Sequence, residues 1–384
     1  MKKKNVFIVL TLMLALIFIF VGNVSFCTEA IFEEVSKEFG ISEFAKEAKK
    51  YTSDNFPDFD LDMFINNSLK GESNLSFLRR AVIKVFGSEL SSGIKLMSSV
   101  LVLMIIGSIC RSIIENLSNE ETAKIVYYVQ YIIIATVIIN SFLEILNLTR
   151  NTIEQTTSFM NLLVPLFTTL VLTTGNIATT NMFQPILLFG INFISNFSNM
   201  VLIPMLLIAM SLTITSSILE KGQLDGISKF FKSSIVWILG IVLTIFTSVL
   251  SLEGTLSSSV DGLTSKTTKA AFSNLIPVVG KVLSDSFDTV LGCANILKNT
   301  VGILGAIIII FIVLVPMIKI AIYCVCFKIT ALFGETLADT RCVKLISGLA
   351  DGYKILLRNS LWNCNYVYCG NYNCTKNYQQ FINV

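Results

Sequence analysis

Three thiols stand five residues apart near the C-terminus, Cys364, Cys369 and Cys374, within the closing stretch RNSLWNCNYVYCGNYNCTKNYQQFINV. Clustered thiols are what a zinc site or a disulfide framework is built from. Three of them without a histidine or a fourth nearby cysteine make a poor zinc site. The chain has no histidine anywhere. That removes Ser-His-Asp and Cys-His nucleophiles, imidazole-bound metals and histidine pH switches together. The remaining cysteines, Cys27, Cys110, Cys293, Cys324, Cys326 and Cys342, form no CxxC and mostly lie in or beside apolar runs. There a cysteine acts as a small hydrophobe. The stretch VVGKV around Lys281 lacks the upstream glycine of a phosphate loop, and Val282 stands where a Ser or Thr would hold magnesium. No catalytic constellation, no metal site and no cofactor are expected.

What must position every polar group here is a membrane. Hydrophobic residues make up 53% of the 384 and charged residues 14%, where a soluble domain carries about 25% charged. From Gln155 to Leu219, a run of 65 residues, there is no Asp, Glu, Lys or Arg. No soluble fold hides so long a run. The sequence therefore predicts an all-α, polytopic helical membrane protein with a small helical extracytoplasmic N-terminal region. A net charge of +3 announces no nucleic-acid partner.

Residues 1–30 have the order of a secretory signal peptide: three lysines, an apolar stretch, then small residues. Residues 31–92 hold 11 of the 26 acidic residues. They carry helical patterns around Ile31, Val35, Phe39 and Phe44 and again around Leu75, Leu78, Val82 and Val85. No loop there has the spacing of an EF-hand. Seven spans of about twenty residues follow: 94–114, 125–146, 157–174, 183–199, 200–218, 234–252 and 301–318. About six of them make a membrane domain over 93–254. The pair within 183–218 also fits one long helix kinked at Pro204. With residues 31–92 outside, the loop 220–232 falls inside with Lys221, Lys229 and Lys232. The stretch after residue 318 also falls inside, with Lys319, Lys328, Arg341 and Lys344, as the positive-inside rule requires. The loop 115–124 falls inside too, although it is acidic. Gln130, Asn140, Asn161, Asn192 and Asn196 lie within spans. They would line a substrate path in a transporter; the expectation here is hydrogen bonding between helices.

Residues 255–300 are too polar to span and too apolar for an ordinary loop. Leu275, Val278, Val279, Val282, Leu283, Val290 and Leu291 suggest an amphipathic face interrupted or begun at Pro277, with Lys281 and Asp285 paired opposite. The segment DGLTSKTTKAAFSNLIPVVGKVLSDSFDTVLGCANILKNTVGILG resembles the signature region of the stage III sporulation protein AE family of endospore-forming bacteria. The order of leader, outer region, spans and this segment is similar too, up to about residue 357. The resemblance implies a non-enzymatic membrane subunit of a channel-like sporulation complex linking mother cell and forespore, needed for late forespore gene expression. Its partners would be other membrane proteins of that complex, an associated cytoplasmic ATPase, a forespore membrane partner and the lipid bilayer. The localisation would be the mother-cell membrane around the forespore. Interaction candidates on the extracytoplasmic or interfacial segment are Lys266, Lys269, Pro277, Gly280, Lys281, Asp285, Asp288 and Lys298. A permease-type subunit that moves a small molecule with a partner ATPase is the alternative.

Such a protein is expected to finish with one more apolar span after a C-terminal membrane segment at 301–357. The chain instead has seven Asn, four Tyr and three Cys in residues 358–384. Read one base later, Asn and Tyr codons become Ile, Met or Thr codons, and Cys codons become Val or Ala codons. The tail therefore has the composition of an apolar span read in a shifted frame from near Arg358.

Overall fold

Long apolar runs without a helix-breaking pair grow into helices far longer than a bilayer is thick. The computed structural model describes residues 75–116, 120–173, 177–218, 224–275, 279–337 and 340–376, those of 253–300 as backbone only. Every regular element among them is helical. In chain order these are α1 (Leu75–Asn116), α2 (Glu120–Thr173), α3 (Ile177–Phe197), a π-helical turn (Ser198–Leu202), α4 (Ile203–Ile218), α5 (Asp225–Leu275), α6 (Val279–Leu337) and α7 (Thr340–Lys376). At 1.5 Å per residue α2 is about 80 Å long, against about 30 Å of hydrocarbon.

Among the described residues, five stretches are long and apolar enough to cross a membrane: Val82–Ile114, Ile125–Leu172, Thr180–Ile218, Asp225–Leu252 and Leu304–Thr336. Hydropathy divides 125–174 into two spans. The structure joins them into α2, because the intervening NLTRNTIEQT contains neither Gly nor Pro and its polarity alone does not end a helix. Residues 183–218 likewise form one path. Pro204 has no N–H for the carbonyl four residues back. The helix widens just before it, and the Ile203 N–H bonds the Ser198 carbonyl across a π turn. The helical pattern over residues 75–92 runs unbroken into the first span as α1. The expected signal peptide, residues 1–30, and residues 31–74 lie outside the described residues.

Two apolar cores stack along the bundle. One gathers Tyr131, Ile138, Phe142 and Ile145 of α2, Leu206 and Met210 of α4, Ile320 and Phe327 of α6, and Leu349, Tyr353 and Leu356 of α7. The other gathers Phe159, Leu163 and Phe167 of α2, Phe183, Leu187 and Ile191 of α3, Phe246 and Leu250 of α5, and Ile308, Phe311 and Ile312 of α6. Tyr353 anchors the first core. Its ring stacks on Phe327 at 5.2 Å and meets Phe142 edge-on at 5.6 Å. Helix α7 reaches this depth through Gly348 and Gly352, one turn apart. A Cβ on Gly348 would stand 2.3 Å from Thr213 Cγ2, and one on Gly352 2.6 Å from Met210 Sδ. Small residues at this interval let membrane helices approach closely.

Candidate functional site

Most of the segments that charge placed inside come together at one end of the bundle; Lys319 and Lys328 fall instead within the apolar stretch Leu304–Thr336 of α6, which runs on past residue 318. The Arg341 guanidinium lies 5.1 Å over the Tyr127 ring, and the Tyr131 hydroxyl donates to the Ile214 carbonyl at 2.8 Å. Lys344 Nζ is 2.6 Å from Asp225, whose carboxylate also accepts from the Ser216 hydroxyl. Lys232 donates to the Gly348 carbonyl at 3.2 Å. The turns α1–α2, α4–α5 and α6–α7 thus share one basic end. This follows from connectivity: merging two pairs of spans into two helices leaves the side of every charged loop unchanged.

The polar residues within spans divide into two kinds. Gln130 donates to the carbonyls of Leu103 and Met104, both at 3.4 Å, tying α2 to α1. Asn161 and Asn192 exchange amide hydrogen bonds at 3.2 and 2.9 Å, tying α2 to α3. These three hold helices together. Asn140 and Asn196 are exposed, and neither has a hydrogen-bond partner among the described residues.

A longer polar feature escapes a span-by-span reading. Between Thr136 and Asn161 the exposed residues of α2 are Thr136, Asn140, Leu143 and Glu144, then Asn147, Asn151, Glu154, Gln155, Ser158 and Asn161. Steps of three and four place them on one face. From Glu144 to Asn161 no exposed residue of α2 is apolar. At its start Lys319 of α6 reaches Glu144 Oε1 at 2.8 Å. Further along, Asn199 donates to Glu154 at 3.4 Å. Asn147, Asn151, Gln155 and Ser158 make no side-chain hydrogen bond among the described residues. The sequence carries the signal, polar residues at helical spacing through 147–156, but cutting the helix into two spans turns that stretch into a loop.

Seven of the eight interaction candidates lie on the far reaches of α5 and α6. Lys266 and Lys269 fall on α5, and Gly280, Lys281, Asp285, Asp288 and Lys298 fall on α6. Pro277 lies outside the described residues, between Leu275 and Val279. The proposed amphipathic segment is thus two helical lengths, continuous with the α5 and α6 of the bundle. In the tail, Cys364, Cys369 and Cys374 lie on one helix, α7. A spacing of five puts successive positions about 140° apart around the helix axis. Among the described residues no three His, Cys, Asp or Glu side chains are grouped to hold a metal.

These helices define a multi-pass helical membrane protein. A model of the family described as stage III sporulation protein AE matches residues 59–362. Stage III sporulation protein AE of Bacillus subtilis (strain 168) is 30% identical over 288 residues, 74% of this chain and 71% of that protein. No solved structure matches. The chain belongs to the stage III sporulation protein AE family, as residues 261–305 imply.

Proposed function

We propose that this protein is a non-catalytic, multi-pass subunit of a channel complex in the mother-cell membrane facing the forespore, required for late forespore gene expression. The observation that carries this reading is the family match across 59–362, which takes in nearly the whole described bundle. Its partners are other membrane subunits of the complex, a cytoplasmic ATPase and a forespore membrane protein. The helical lengths bearing Lys266, Lys269, Gly280, Lys281, Asp285, Asp288 and Lys298, with Pro277 between them, are the extracytoplasmic contact region. Deleting the gene from its endospore-forming host tests the reading. Heat-resistant spores and a late forespore reporter should be lost together, and a tagged copy should pull down membrane subunits and an ATPase. Normal spores, or a tagged copy that retrieves only a solute transporter's components, would turn the assignment to the permease.

We infer, separately, that residues 358–384 are read in a shifted frame. Asn359, Ser360 and Asn363 are buried in the second half of α7. Ser360 Oγ and the Tyr366 hydroxyl are enclosed without a hydrogen-bond partner, each costing about 1–3 kcal/mol. An apolar span would fill the same groove without that penalty. A DNA read from codon 340 through the stop decides it. An extra base near codon 358 is the expected result. Codons that do not shift into an apolar frame would overturn it.

A further inference from the structure

We propose that the polar face of α2 between Thr136 and Asn161 is a water-facing wall inside the membrane, along which water and small hydrated solutes lie. It rests on the complex-subunit reading, since other subunits of the assembly complete the remaining walls.

The argument begins with length. Crossing the hydrocarbon takes about twenty helical residues, and the apolar stretch of α2 runs from Ile125 to Leu172. If the crossing begins at Ile125, Thr136, Asn140 and Glu144 lie in it. If it ends at Leu172, Glu154, Gln155, Ser158 and Asn161 do. Every placement between them includes at least three residues of the exposed polar face. Polar side chains at that depth face a bundle interior or a water-filled cavity, because lipid offers them no partner.

The chain itself does not supply the partners. Asn147, Asn151 and Gln155 are exposed and have no hydrogen bond among the described residues. An amide brings two donors and an acceptor, so one bond back to the helix would leave the rest unmet. Glu144 is paired by Lys319, whereas Glu154 accepts an amide hydrogen bond from Asn199 and keeps its charge. An amide-rich wall offers hydrogen-bond donors and acceptors to water and small hydrated solutes.

The exposed face of α3 beside it is richer in apolar groups, with Asn196 among them. Phe189, Phe193 and Phe197 of α3 stack in a row with centroids 6.0 Å apart. Phe189 is 74% exposed and Met200 77%. Asn161 pairs with Asn192 and Glu154 with Asn199, so Phe193 and Met200 stand at the same depth as the far half of the polar face. They are internal controls for depth.

The test is labelling of the full chain in membranes from its sporulating host, where the other subunits are present, with a charged, membrane-impermeant thiol reagent, the modified residue located by peptide mass spectrometry. Single variants are Asn147→Cys, Asn151→Cys and Ser158→Cys on the wall, against Phe193→Cys and Met200→Cys. The wall positions should label at least about tenfold faster than the controls, because each unit by which lipid raises a thiol pKa cuts the thiolate tenfold. Buried Cys324, whose Sγ lies 3.5 Å from the Ala350 carbonyl, reports folding by staying unlabelled in the same sample. Equal labelling of wall and controls would place that depth outside the bilayer and overturn the proposal. Wall positions that stay unlabelled, whether they cross-link to a neighbouring chain or react only with a lipid-soluble reagent, would also overturn it. Labelling reads the surroundings of single residues whereas the deletion reads spore yield, so failure of one is distinguishable from failure of the other.

Discussion

From Glu144 to Asn161 the exposed face of α2 reads Glu, Asn, Asn, Glu, Gln, Ser, Asn, whereas from Trp237 to Leu252 the exposed face of α5 is led by Trp237, Ile241, Ile245, Val249 and Leu252. Both helices belong to one bundle and both qualify as membrane crossings by hydropathy. The difference lies in how polar atoms are met. On α5 the Thr244 and Ser248 hydroxyls bond back to the carbonyls of Gly240 and Thr244 at 2.9 and 2.7 Å, so that face asks nothing of its surroundings. Buried hydroxyls on α2 do the same: Thr149, Thr152 and Thr156 bond to residues 145, 148 and 152. The exposed amides and carboxylates of α2 need something outside the helix. Both helices contain a window apolar enough to cross a membrane; they differ in the polarity of the compared stretches and in which face carries it.

The largest effect expected from testing this contrast is a charge on the greasy face. Ile241→Lys should cost about 2.5–3.5 kcal/mol of membrane insertion, read as loss of membrane-integrated protein. Asn151→Lys on α2 should leave that amount nearly unchanged, and equal losses would erase the distinction between the faces. Next comes the close approach of α7 to the bundle. Gly352→Val puts a methyl group against Met210 and should cost about 1–3 kcal/mol of stability, measured as a lower melting temperature in detergent. Gly240→Ala, with nothing within 4 Å of an added Cβ, should not destabilise and serves as control.

A smaller change follows from Glu144→Gln. Glu144 is mostly exposed, so losing its charge should cost about 1 kcal/mol or less. The paired reversal Glu144→Lys with Lys319→Glu should recover most of it, and no recovery would show that the two charges act separately. Smallest of all is Asn161→Leu, which removes the amide exchange with Asn192. Interhelical hydrogen bonds in membranes average about 0.6 kcal/mol, so its melting temperature should fall only slightly, while a fall as large as that of Gly352→Val would make Asn161 part of the fold's framework.

The amino-acid sequence by itself determined the class, because 65 consecutive residues without a charge have no place but a bilayer. It also determined which loops share an end, since lysine and arginine placement survives changes in span count. Residues 261–305 disclosed the family. Helix continuity was decided by tertiary structure. Residues 147–156 look like a loop by polarity, yet without Gly or Pro nothing in the backbone stops the helix, and packing on both sides carries it through. The Lys319–Glu144 pair links residues 175 positions apart, a separation no local pattern can report. Gly348 and Gly352 were visible as a spacing, but which helix they admit was not. The sequence states what each side chain needs; three-dimensional packing settles which of those needs the chain meets internally and which, along α2, it leaves for its surroundings.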